Sequence, residues 1–480
     1  MKNELEIFLE QFDKLTLDSR QISKNTVFIA YPGKKFDGRD FIEQAVNNGA
    51  NGIVFESENY KKKLNLSVPS IAIKDLKNKL SSIADKFYDH PSKKLSIIGI
   101  TGTNGKTTSA YWLTQCLNHL GNKTAFIGTL GYGDAEDFKK TQNTTPSAID
   151  VQYVIKDLYK KKYKNIAMEV SSHGINENRI NNIDFNERLF TNLTRDHLDY
   201  HKTMKAYSDV KRKFMLDGKN GSIIVNIDDK VGESIFKKST LPSEKKISFS
   251  IHKKSKIQAT DISQNNNNLK FNLSYYGETF PITFKFGGYF NVYNVLGVVG
   301  CLSARGYEIK QILDSLKCIK VVPGRSEYII SNDSFPSVMI DYAHTGDALE
   351  NILKGVKNNA FRKILLVFGA GGDRDKGKRK AMAKIAEKFA DQCIITTDNP
   401  RNENPIDIIK DISNHFNKKP IEIIDRKEAI YKAIEIASKE DLVLIAGKGN
   451  EEFQEIGSQK KYFSDREVIE KFLQERKSKN

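Results

Sequence analysis

The stretch LSIIGITGTNGKTTSAYWLTQCLNHLG, residues 95–121, decides the fold of this chain. An apolar segment leads directly into a glycine-rich turn, and a segment with helical apolar spacing follows it as far as Gly121. A strand, a glycine-rich turn and a helix in this order direct backbone N–H groups and a helix N-terminus at one point, where they can hold phosphate. The stretch therefore predicts an α/β domain built around a phosphate-binding loop.

The loop itself, TGTNGKTT at residues 101–108, carries side chains that suit a nucleotide. Lys106 is placed to reach the β- and γ-phosphates, and the Thr107 hydroxyl is placed to ligate Mg²⁺. The strict pattern GxxxxGK[ST] requires glycine at position 100, which is Ile100 here, so Gly102 takes over the tight turn. An ordinary glycine-rich turn with an exposed lysine is the alternative, and the strand–helix context disfavours it. The predicted ATP contacts of the loop are Gly102, Thr103, Asn104, Gly105, Lys106, Thr107 and Thr108.

The composition limits the class of protein. A chain of 480 residues predicts about two to four domains, and 39% apolar with 28% charged residues is ordinary for a soluble globular protein. No run approaches the roughly eighteen apolar residues of a membrane span, and the start MKNELEIFLE lacks the apolar length of a signal peptide. We therefore expect a cytoplasmic protein with no membrane insertion. Four scattered cysteines without a CxxC pair argue against a disulfide framework and a zinc site.

The formal net charge of +16 allows either nucleic acid or small anionic molecules as partners. Lysine is spread over the whole chain, and neither an RNP-type aromatic motif nor zinc-finger spacing occurs. We therefore expect small-molecule substrates and no nucleic-acid partner. The charge pattern does not bear on oligomeric state, for which we expect a monomer. A basic phosphate-loop protein that couples ATP to nucleic-acid binding remains the competing hypothesis from another class.

Three blocks are predicted along the chain, at residues 1–92, 93–322 and 323–480. The first contains the short strands TVFIAYP and NGIVFE and the helical DFIEQAVNNGA, and ends in a linker at HPSKK. The second alternates strands such as NIAMEV and SIIVNID with helical stretches, and residues 250–285 predict an antiparallel insertion with NNNN as a hairpin tip. The third alternates again through SVMIDYA, KILLVFGAGG, QCIITTDNP, PIEIID and DLVLIAGKGN, which predicts a doubly wound sheet.

The form TGTNGKTT resembles the phosphate loop of the Mur ligase superfamily, ATP-dependent enzymes that join an amino acid to a carboxylate. The likeness runs from LDSR (17–20) to FSDRE (463–467) and is greatest to the MurE-type ligases of peptidoglycan synthesis. This resemblance implies a three-domain Mur ligase architecture with an N-terminal UDP-muramoyl-binding domain, a central P-loop ATP-binding domain and a C-terminal amino-acid-binding domain. The implied substrates are ATP, UDP-MurNAc-L-Ala-D-Glu and a diamino-dicarboxylic acid.

The resemblance also assigns catalytic and metal-binding residues in the central block. His173, His197 and His201 lie in the stretches 169–179 and 194–214, and the resemblance implies that His197 ligates Mg²⁺ together with Glu169 and Thr107. Lys211 follows His201 by ten residues, where the family has a lysine that CO₂ carbamylates into a carboxylate-like metal ligand. Without the resemblance, the run Lys211, Arg212, Lys213 would be interpreted as a solvated basic face. The implied catalytic residues are Lys106, Glu169, His197 and Lys211.

Further positions match the family's two nucleotide sites. The implied contacts of UDP-MurNAc-dipeptide are Leu17, Ser19, Lys34, Lys35, Phe36, Asn143, Thr144, Thr145, Ser171, Glu177 and Arg179. Lys34 to Phe36 depart from the family's usual residues, and Glu177 stands where glutamine is common. The implied further contacts of ATP are Asn291, Asn294, Arg325, Asp341 and His344.

Three loops that follow apolar strands in the third block, GAGGDRDKGKR, DNPR and AGKGNEEF, predict one pocket, because ligands bind at the carboxyl ends of strands in open α/β sheets. The resemblance implies that this pocket holds the amino acid through Arg374, Asp398, Asn399, Pro400, Arg401, Gly447 and Glu451. An arginine pairs bidentately with a carboxylate, and Glu451 suits an ammonium group. These ends fit meso-2,6-diaminopimelate and also meso-lanthionine, whereas L-lysine would leave Arg401 without its carboxylate. Asn450 stands where the family usually has histidine.

The implied reaction transfers the ATP γ-phosphoryl to the D-Glu carboxylate, and the amino group of the incoming amino acid then attacks the acyl phosphate. An L-lysine-adding homologue, a folylpolyglutamate synthetase or another muramoyl-peptide ligase is the alternative within the fold. DNPR at 398–401 and DSR at 18–20 argue against these alternatives.

Overall fold

The computed structural model describes residues 4–33, 36–62, 64–135, 137–218, 221–265, 268–330, 335–357 and 361–477. Lys34 and Lys35, two predicted nucleotide-sugar contacts, and the middle of the NNNN tip lie outside the described residues. The chain divides into a first unit, Met1–Gly99 with Gly121–Glu187, and a second unit, Ile100–Leu120 with Arg188–Asn480.

The α-helices are Glu4–Leu9 (α1), Ile42–Asn47 (α2), Leu76–Phe87 (α3), Lys106–His119 (α4), Ala148–Lys160 (α5), Ser172–Asn176 (α6), Leu198–His201 (α7), Met204–Leu216 (α8), Lys230–Lys238 (α9), Phe290–Ala304 (α10), Ile309–Leu316 (α11), Gly346–Lys357 (α12), Gly377–Phe389 (α13), Pro405–Ser413 (α14), Arg426–Ile436 (α15) and Asp465–Lys477 (α16). Short 3₁₀ helices cover Gly38–Phe41, Pro91–Lys94 and Ser243–Lys245.

The strands are Lys14–Thr16 (β1), Thr26–Ala30 (β2), Gly52–Glu56 (β3), Ser70–Ile73 (β4), Ser96–Thr101 (β5), Thr124–Gly128 (β6), Gly131–Asp134 (β7), Asp137–Lys139 (β8), Asn165–Glu169 (β9), Glu187–Phe190 (β10), Ser222–Asn226 (β11), Lys246–Ser250 (β12), Ile257–Asn265 (β13), Asn268–Tyr275 (β14), Glu278–Phe284 (β15), Glu327–Ile330 (β16), Ser337–Asp341 (β17), Ile364–Phe368 (β18), Gln392–Ile395 (β19), Ile421–Glu422 (β20), Leu442–Ala446 (β21), Phe453–Ile456 (β22) and Gln459–Tyr462 (β23).

The first unit contains two strand arrays. β1-β2-β3-β4 form a parallel sheet in chain order, and β5-β9-β6-β7-β8 form a second array in which β6 and β9 are parallel and β6-β7-β8 are antiparallel. Every residue of β2, β6 and β9 is buried. Continuous burial is expected where a parallel sheet is covered on both faces, and it explains why the apolar runs of these strands show no alternation.

The second unit contains two larger arrays. β10 to β15 lie in chain order, with β11, β12 and β13 parallel and β13-β14-β15 antiparallel, so the antiparallel insertion predicted at 250–285 is confirmed. The third block forms a six-stranded sheet in the order β16-β17-β21-β18-β19-β20, parallel except for the β16 edge.

Helices cover both faces of the six-stranded sheet. Leu366 of β18 packs in one cluster with α12, α13 and α14, whereas its neighbour Leu365 packs in another cluster with α15 and α16. Adjacent strand residues point to opposite faces, so this division shows a doubly wound sheet, as the sequence predicts. The loops after β21, β18 and β19 therefore leave the same edge of the sheet from neighbouring strands.

The segment HPSKK, predicted as a linker, forms a 3₁₀ turn at Pro91–Lys94 because the proline lies in its first turn. The block boundaries at residues 92 and 322 remain predictions. Among the described residues, no helix combines the length and the apolar character needed to cross a lipid bilayer.

Candidate active site

The phosphate loop joins the end of β5 to the start of α4. Gly102 and Gly105 have φ of +153° and +84°, and a Cβ on them would collide with Thr191 Oγ1 and Asn294 Oδ1, respectively. Glycine at both positions is therefore required by backbone conformation and by space. The backbone N–H groups of Thr103 and Asn104 donate to Asn192, at 2.8 Å to its carbonyl and 3.0 Å to its side-chain oxygen.

Lys106 and Lys211 both direct their amino groups at this loop. Lys106 Nζ donates to the carbonyl oxygens of Gly102 (3.0 Å) and Thr103 (2.7 Å). Lys211 Nζ, on α8, donates to the same Gly102 oxygen (2.8 Å) and to Thr101 Oγ1 (3.3 Å). The structure thus brings together two lysines that lie 105 positions apart in the sequence, as predicted for a catalytic pair.

Lys211 is 1% exposed. Burial lowers the pKa of its amine well below the usual value, the nearby charge of Lys106 lowers it further, and Asp196 opposes the shift. An amine in this environment favours the neutral form, which is the form that reacts with CO₂. The alternative of a solvated basic face therefore does not apply to Lys211, although Lys213 is exposed.

A buried carboxylate, Asp196, lies beside the predicted metal ligand His197. Its oxygens are 3.5 Å from His197 Nε2 and 3.8 Å from His344 Nε2, and it forms an ion pair with Lys378. Burial opposes ionisation, but the nearby His344, His197 and Lys378 hold the pKa of Asp196 well below its usual value. The structure therefore unites two predicted residues from separate sequence motifs around a carboxylate that sequence reasoning missed.

The predicted ATP contacts on α10 and in PGRSE meet in one cleft. Thr108, Asn291 and Arg325 line it together with the aromatic side chains of Trp112, Phe286 and Phe290. Arg325 Nη2 donates to Thr107 Oγ1 at 3.3 Å. The cleft therefore places aromatic side chains and three predicted ATP contacts beside the phosphate loop.

Asp341 holds its own turn together in this structure. Its two carboxylate oxygens accept from the backbone N–H groups of Ser326 (2.6 Å) and Ala343 (2.7 Å), and burial raises the pKa of the carboxyl group. Arg325, in the same turn, lies 3.9 Å above the Tyr342 ring. Asp341 therefore positions Arg325 and Tyr342, and its direct contact with ATP stays a prediction.

The three predicted loops of the third block converge at the edge of the six-stranded sheet. Asn399 Nδ2 donates to Glu451 Oε2 (3.0 Å), and the fully buried Lys448 Nζ donates to the same oxygen (3.0 Å) and to Asn399 Oδ1 (3.2 Å). A Cβ on Gly447 would lie 2.7 Å from Asp398 Oδ2. The DNPR and AGKGNEEF loops are thus locked to each other through Lys448, which sequence reasoning did not select.

Arg401 is held from two sides in an uncommon backbone conformation. Its φ is +53°, its Nη1 donates to Gly372 O (3.0 Å), and its Nε lies 2.7 Å from Glu455 Oε2. A positive φ in an arginine costs free energy, and such residues concentrate at functional sites. The expectation that a substrate without a second carboxylate leaves Arg401 without a partner is wrong, because Glu455 pairs with it.

Two further residues of these loops, Arg374 and Asn450, lie in different surroundings. A Cβ on Gly371 would lie 2.8 Å from Arg401 Nη1 and 3.5 Å from Arg374 Cγ, so both arginines flank the same glycine, but Arg374 Nη1 donates to Asp199 (3.1 Å). The side-chain oxygen of Asn450 is buried and has no hydrogen-bond partner within the described part of the chain. Pro400 precedes Arg401 and is buried.

The first unit gathers the predicted muropeptide contacts around Glu169. Thr145 Oγ1 donates to Glu169 O (2.9 Å) and accepts from Ser171 N (2.9 Å), while Thr144 Oγ1 lies 3.1 Å from Thr129 Oγ1. The Glu169 carboxylate accepts from Thr129 N at 2.8 Å. These residues form one polar cluster at the end of β9, as the resemblance implies for a shared ligand.

Arg179 and Glu177 extend the cluster. Arg179 Nη1 donates to Thr145 O (2.7 Å), and its Nη2 lies 2.6 Å from Glu177 Oε2. Burial, and then the charge of Glu177, raises the pKa of Tyr31, a residue just before the Lys34 turn. Glu177 thus lies in this polar cluster through its ion pair with Arg179, and its contact with the muropeptide stays a prediction. Asn143 adjoins this cluster through its carbonyl, which accepts from Thr141.

The predicted uridine contacts are placed less closely together. Ser19 Oγ donates to Gln44 Oε1 (2.8 Å), Leu17 packs against the apolar cluster of the first unit, and the Phe36 ring is 71% exposed. An aromatic ring that is open to solvent can stack on a base.

The predicted Mg²⁺ ligands suit the ion by the type of their ligand atoms, and not because they already form a metal-binding cluster. No group of three His, Cys, Asp or Glu side chains within the described ranges comes together to hold a metal ion. In the second unit the predicted ligands are the Thr107 hydroxyl, His197 and Lys211, and Glu169 belongs to the first unit. A carboxylate made on the neutral Lys211 amine would supply an oxygen ligand of the kind that Mg²⁺ prefers.

Comparison with protein-family models identifies the family to which this architecture belongs. Three family models match: the Mur ligase family catalytic domain at residues 11–88, the Mur ligase middle domain at 100–302 and the Mur ligase glutamate ligase domain at 324–449. The chain belongs to the Mur ligase family. The predicted three-domain Mur ligase architecture, with its central P-loop domain, is thereby confirmed.

Relatives of the same length carry one name. Two proteins named UDP-N-acetylmuramoyl-L-alanyl-D-glutamate–2,6-diaminopimelate ligase are similar to this chain: one from Clostridium acetobutylicum, 38% identical, covers 97% of this chain and 95% of its own. The other, from Clostridioides difficile, is 38% identical and covers 98% and 96%.

Solved structures agree with the fold. A structure with the same ligase name is 30% identical, with a TM-score of 0.65 and coverage of 97% of this chain and 95% of its own. A MurF ligase from Thermotoga maritima in complex with ADP has a TM-score of 0.70, 17% identity and full coverage of both chains, and it shows the shared fold.

Proposed function

We propose that the chain is an ATP-dependent ligase that adds meso-2,6-diaminopimelate to UDP-MurNAc-L-Ala-D-Glu during the synthesis of peptidoglycan precursors. The observation that carries this proposal is the similarity, at 38% identity over 97% of the chain, to proteins with that name. The enzyme we propose is a monomer, and it acts in the cytoplasm, where ATP and nucleotide-linked precursors are made.

The second unit would bind ATP. The loop Gly102–Thr108 and the N-terminus of α4 would take the phosphates, and the cleft of Trp112, Phe286 and Phe290 would take the adenine. Lys106 now donates to two carbonyl oxygens of its own loop, and it would exchange them for phosphate oxygens. The Thr107 hydroxyl likewise accepts a hydrogen bond from Arg325. The side chains of Lys106 and Thr107 are therefore both positioned before the nucleotide binds.

A metal ligand would be made at Lys211. Its neutral amine would attack the carbon of CO₂ and lose one proton, which gives a carbamate whose charge is negative. The negatively charged product would attract the ammonium group of Lys106. Thr107, His197 and this carbamate, all in the second unit, would hold Mg²⁺, which would neutralise charge on the transferring phosphoryl group when bound.

The reaction has two transfers. The D-Glu carboxylate would take the γ-phosphoryl of ATP, which leaves ADP and an acyl phosphate. The neutral amine of the incoming amino acid would then attack the acyl carbon, and phosphate would leave from the tetrahedral intermediate. Lys106 and Arg325 would stabilise the negative charge near Thr107, and positioning would account for most of the rate.

The amino-acid pocket would read the far end of the substrate with Arg401 and Glu451. The distal carboxylate would compete with Glu455 for the Arg401 guanidinium, and the distal ammonium would approach Glu451 beside Asn399. Lysine carries no such carboxylate, so Arg401 would stay on Glu455 and contribute nothing to its binding. Lanthionine has the same two ends as diaminopimelate, so Arg401 and Glu451 would bind both ligands.

The test is a competition assay for ADP release in the presence of UDP-MurNAc-L-Ala-D-Glu. We expect diaminopimelate to support turnover, lanthionine to compete with it, and lysine to be inefficient. Stimulation of ATP hydrolysis by DNA or RNA, without a response to the muropeptide, would support the competing nucleic-acid hypothesis and contradict ours. A clear preference for lysine would show that Arg401 does not select the substrate.

Arg401→Ala provides the matching variant. We expect its KM for diaminopimelate to rise about 10- to 100-fold, because a charge-assisted pair of this kind contributes about 1.5–3 kcal/mol, while its KM for ATP stays unchanged. Arg476→Ala, at an arginine paired on the surface with Glu435, is the control and should leave both values unchanged. Equal losses of affinity for ATP and amino acid would place Arg401 outside the pocket.

A further inference from the structure

The fold brings together two cysteines that are 202 positions apart in the sequence. Cys116 lies on α4 and is buried, and Cys318 follows α11 and is half-buried. Both sulfur atoms approach the same carbonyl oxygen, that of Ser315, at 3.5 Å from Cys116 Sγ and 2.8 Å from Cys318 Sγ. The shared contact with one carbonyl oxygen therefore places the two sulfur atoms on the same side of this turn, close to each other.

The charges around the pair favour a thiolate on Cys318. The hydrogen bond from Cys116 lowers the pKa of Cys318, burial opposes this, and the charge of His119 lowers it further. The same hydrogen bond, together with burial, raises the pKa of Cys116. His119 is held by Asp314 at 2.9 Å, and Lys317 pairs with that carboxylate at 3.1 Å. One thiol is therefore suited to attack, and the other remains protonated until it is needed.

The pair lies in a segment that follows the helix of the phosphate loop. Residues 314–325 run antiparallel to α4, and a chain of side-chain contacts connects them. Trp112 Nε1 donates to Lys320 O (2.9 Å), and Lys320 N donates to Gln115 Oε1 (2.9 Å). At the far end of the segment Arg325 donates to Thr107. We call residues 314–325 the α4 strap.

We propose that Cys116 and Cys318 form a reversible disulfide when the enzyme meets a hydroperoxide. The Cys318 thiolate attacks the terminal oxygen of the hydroperoxide, the O–O bond breaks, and alkoxide (hydroxide from hydrogen peroxide) leaves, which gives a sulfenic acid. The Cys116 sulfur then attacks the sulfenic sulfur and displaces hydroxide, which leaves as water with the thiol proton. Two thiols are oxidised by two electrons, and the peroxide is reduced to water and the corresponding alcohol or a second water.

Oxidation would fasten the α4 strap covalently to the helix of the phosphate loop. Thr107 and Arg325 must exchange their mutual hydrogen bond for contacts to nucleotide and metal in the proposed reaction, and Arg325 is at the end of the strap. A disulfide at Cys318, seven residues before Arg325, restricts that exchange. The oxidised enzyme therefore turns over ATP more slowly, and a dithiol reductant restores the rate. This consequence rests on the proposed function, whereas the disulfide itself does not.

The direct test is peptide mass mapping of the full chain after treatment with hydrogen peroxide and alkylation of the remaining thiols. We expect the tryptic peptides 107–123 and 318–320 to appear as one linked species, and to separate on reduction. Thiol titration of the unfolded protein should fall from four thiols to two. Recovery of Cys318 as a free thiol, or only as sulfinic or sulfonic acid, overturns the proposal.

Cys393→Ser is the matched control, because Cys393 lies on β19, outside the α4 strap. Burial raises the pKa of its thiol to about 12, so this thiol stays protonated at neutral pH. It should leave the linked species intact, whereas Cys318→Ser should abolish it. Peroxide should lower the turnover of wild type at least about threefold and leave Cys318→Ser unchanged. A disulfide that forms without a change in turnover overturns the regulatory consequence. Absence of ligase activity in the reduced protein would instead contradict the proposed function.

Discussion

Two lysines of the second unit lose almost all contact with water, Lys211 at 1% exposure and Lys448 at 0%. Within the described part of the chain, the Lys211 amine donates to two neutral oxygens, the Gly102 carbonyl and the Thr101 hydroxyl, and the charge of Lys106 is nearby. Lys448 donates to the Glu451 carboxylate and the Asn399 side chain. The same residue type at the same burial is thus surrounded by opposite electrostatics.

The difference separates a reactive group from a structural one. A buried ammonium without an anion pays the full cost of desolvation, so it tends to lose its proton, and a neutral amine is a nucleophile. A buried ammonium beside a carboxylate keeps its charge and orients its partner. Lys211 is therefore suited to react with CO₂, whereas Lys448 holds Glu451 in place for the incoming amino acid.

The largest expected effect is on activity at Lys211. Lys211→Met should lower kcat at least about 1,000-fold, as loss of an essential metal ligand would, yet leave the free energy of unfolding unchanged or higher. No anion is left behind when the lysine is removed, and methionine fills a similar volume. Steady-state kinetics and urea unfolding measure the two quantities.

Lys213→Met, at an exposed position on the same helix, is the control and should change neither quantity. Lys211→Ala should regain part of its activity when a short carboxylic acid is added, and wild type should show the mass increment of one CO₂ at Lys211. An active Lys211→Met enzyme would refute the reactive role, and a large loss of stability would refute the comparison with Lys448.

The opposite pattern is expected at Lys448. Lys448→Met should reduce the free energy of unfolding by about 2–4 kcal/mol, because it leaves the Glu451 carboxylate without its buried partner. The KM for diaminopimelate should also rise, since Glu451 and Asn399 lose their orientation. Urea unfolding and amino-acid saturation curves test these two effects.

A double variant shows whether the Lys448–Glu451 ion pair accounts for the loss of stability in Lys448→Met. Lys448→Met combined with Glu451→Met should recover much of the lost stability, because both charges then disappear together, while activity stays low. Lys461→Met, exposed on β23, is the surface control and should be neutral. If the single and double variants are equally unstable, packing rather than the ion pair holds the two loops together.

Much of the fold could be predicted from local sequence. The strands are continuous apolar runs such as SIIGI and LVLIA, and their turn residues mark where each ends. The loop TGTNGKTT carries its own conformational requirement in Gly102 and Gly105. Its lysine and threonine follow directly from the motif, so this part of the site needs little information from elsewhere in the chain.

The rest of the site depends on pairing over long sequence distances. Lys211 has basic neighbours in the sequence, and only the approach of α8 to Thr101 and Gly102 buries it. Asp196 becomes a common partner because His344 and Lys378 arrive from other loops. Glu455, Lys448 and Cys318 were missed for the same reason. Their spacing carries no periodic signal, and burial of a charged side chain cannot be read from its own residue type.

The smallest expected effect concerns pH, and it tests the charge state of Lys211 without any activity measurement. Burial and Lys106 lower the pKa of this amine from its usual 10.5. Between the lowered pKa and 10.5 the unfolded chain holds one more proton at this site than the folded chain, so the free energy of unfolding rises with pH in that window. Below the lowered pKa both states are protonated, and the cost of burying the charge is fully present. The slope from one proton is at most about 1.4 kcal/mol per pH unit.

Lys211→Met removes this contribution, so its stability should rise less steeply with pH than that of wild type, in urea unfolding from about pH 6 to about pH 10 in CO₂-free buffer. Lys213→Met should keep the wild-type slope. Equal slopes for wild type and Lys211→Met would mean that Lys211 binds its proton equally well in both states. In that case burial among neutral oxygens would not distinguish Lys211 from Lys448, and the electrostatic basis for its reaction with CO₂ would be lost.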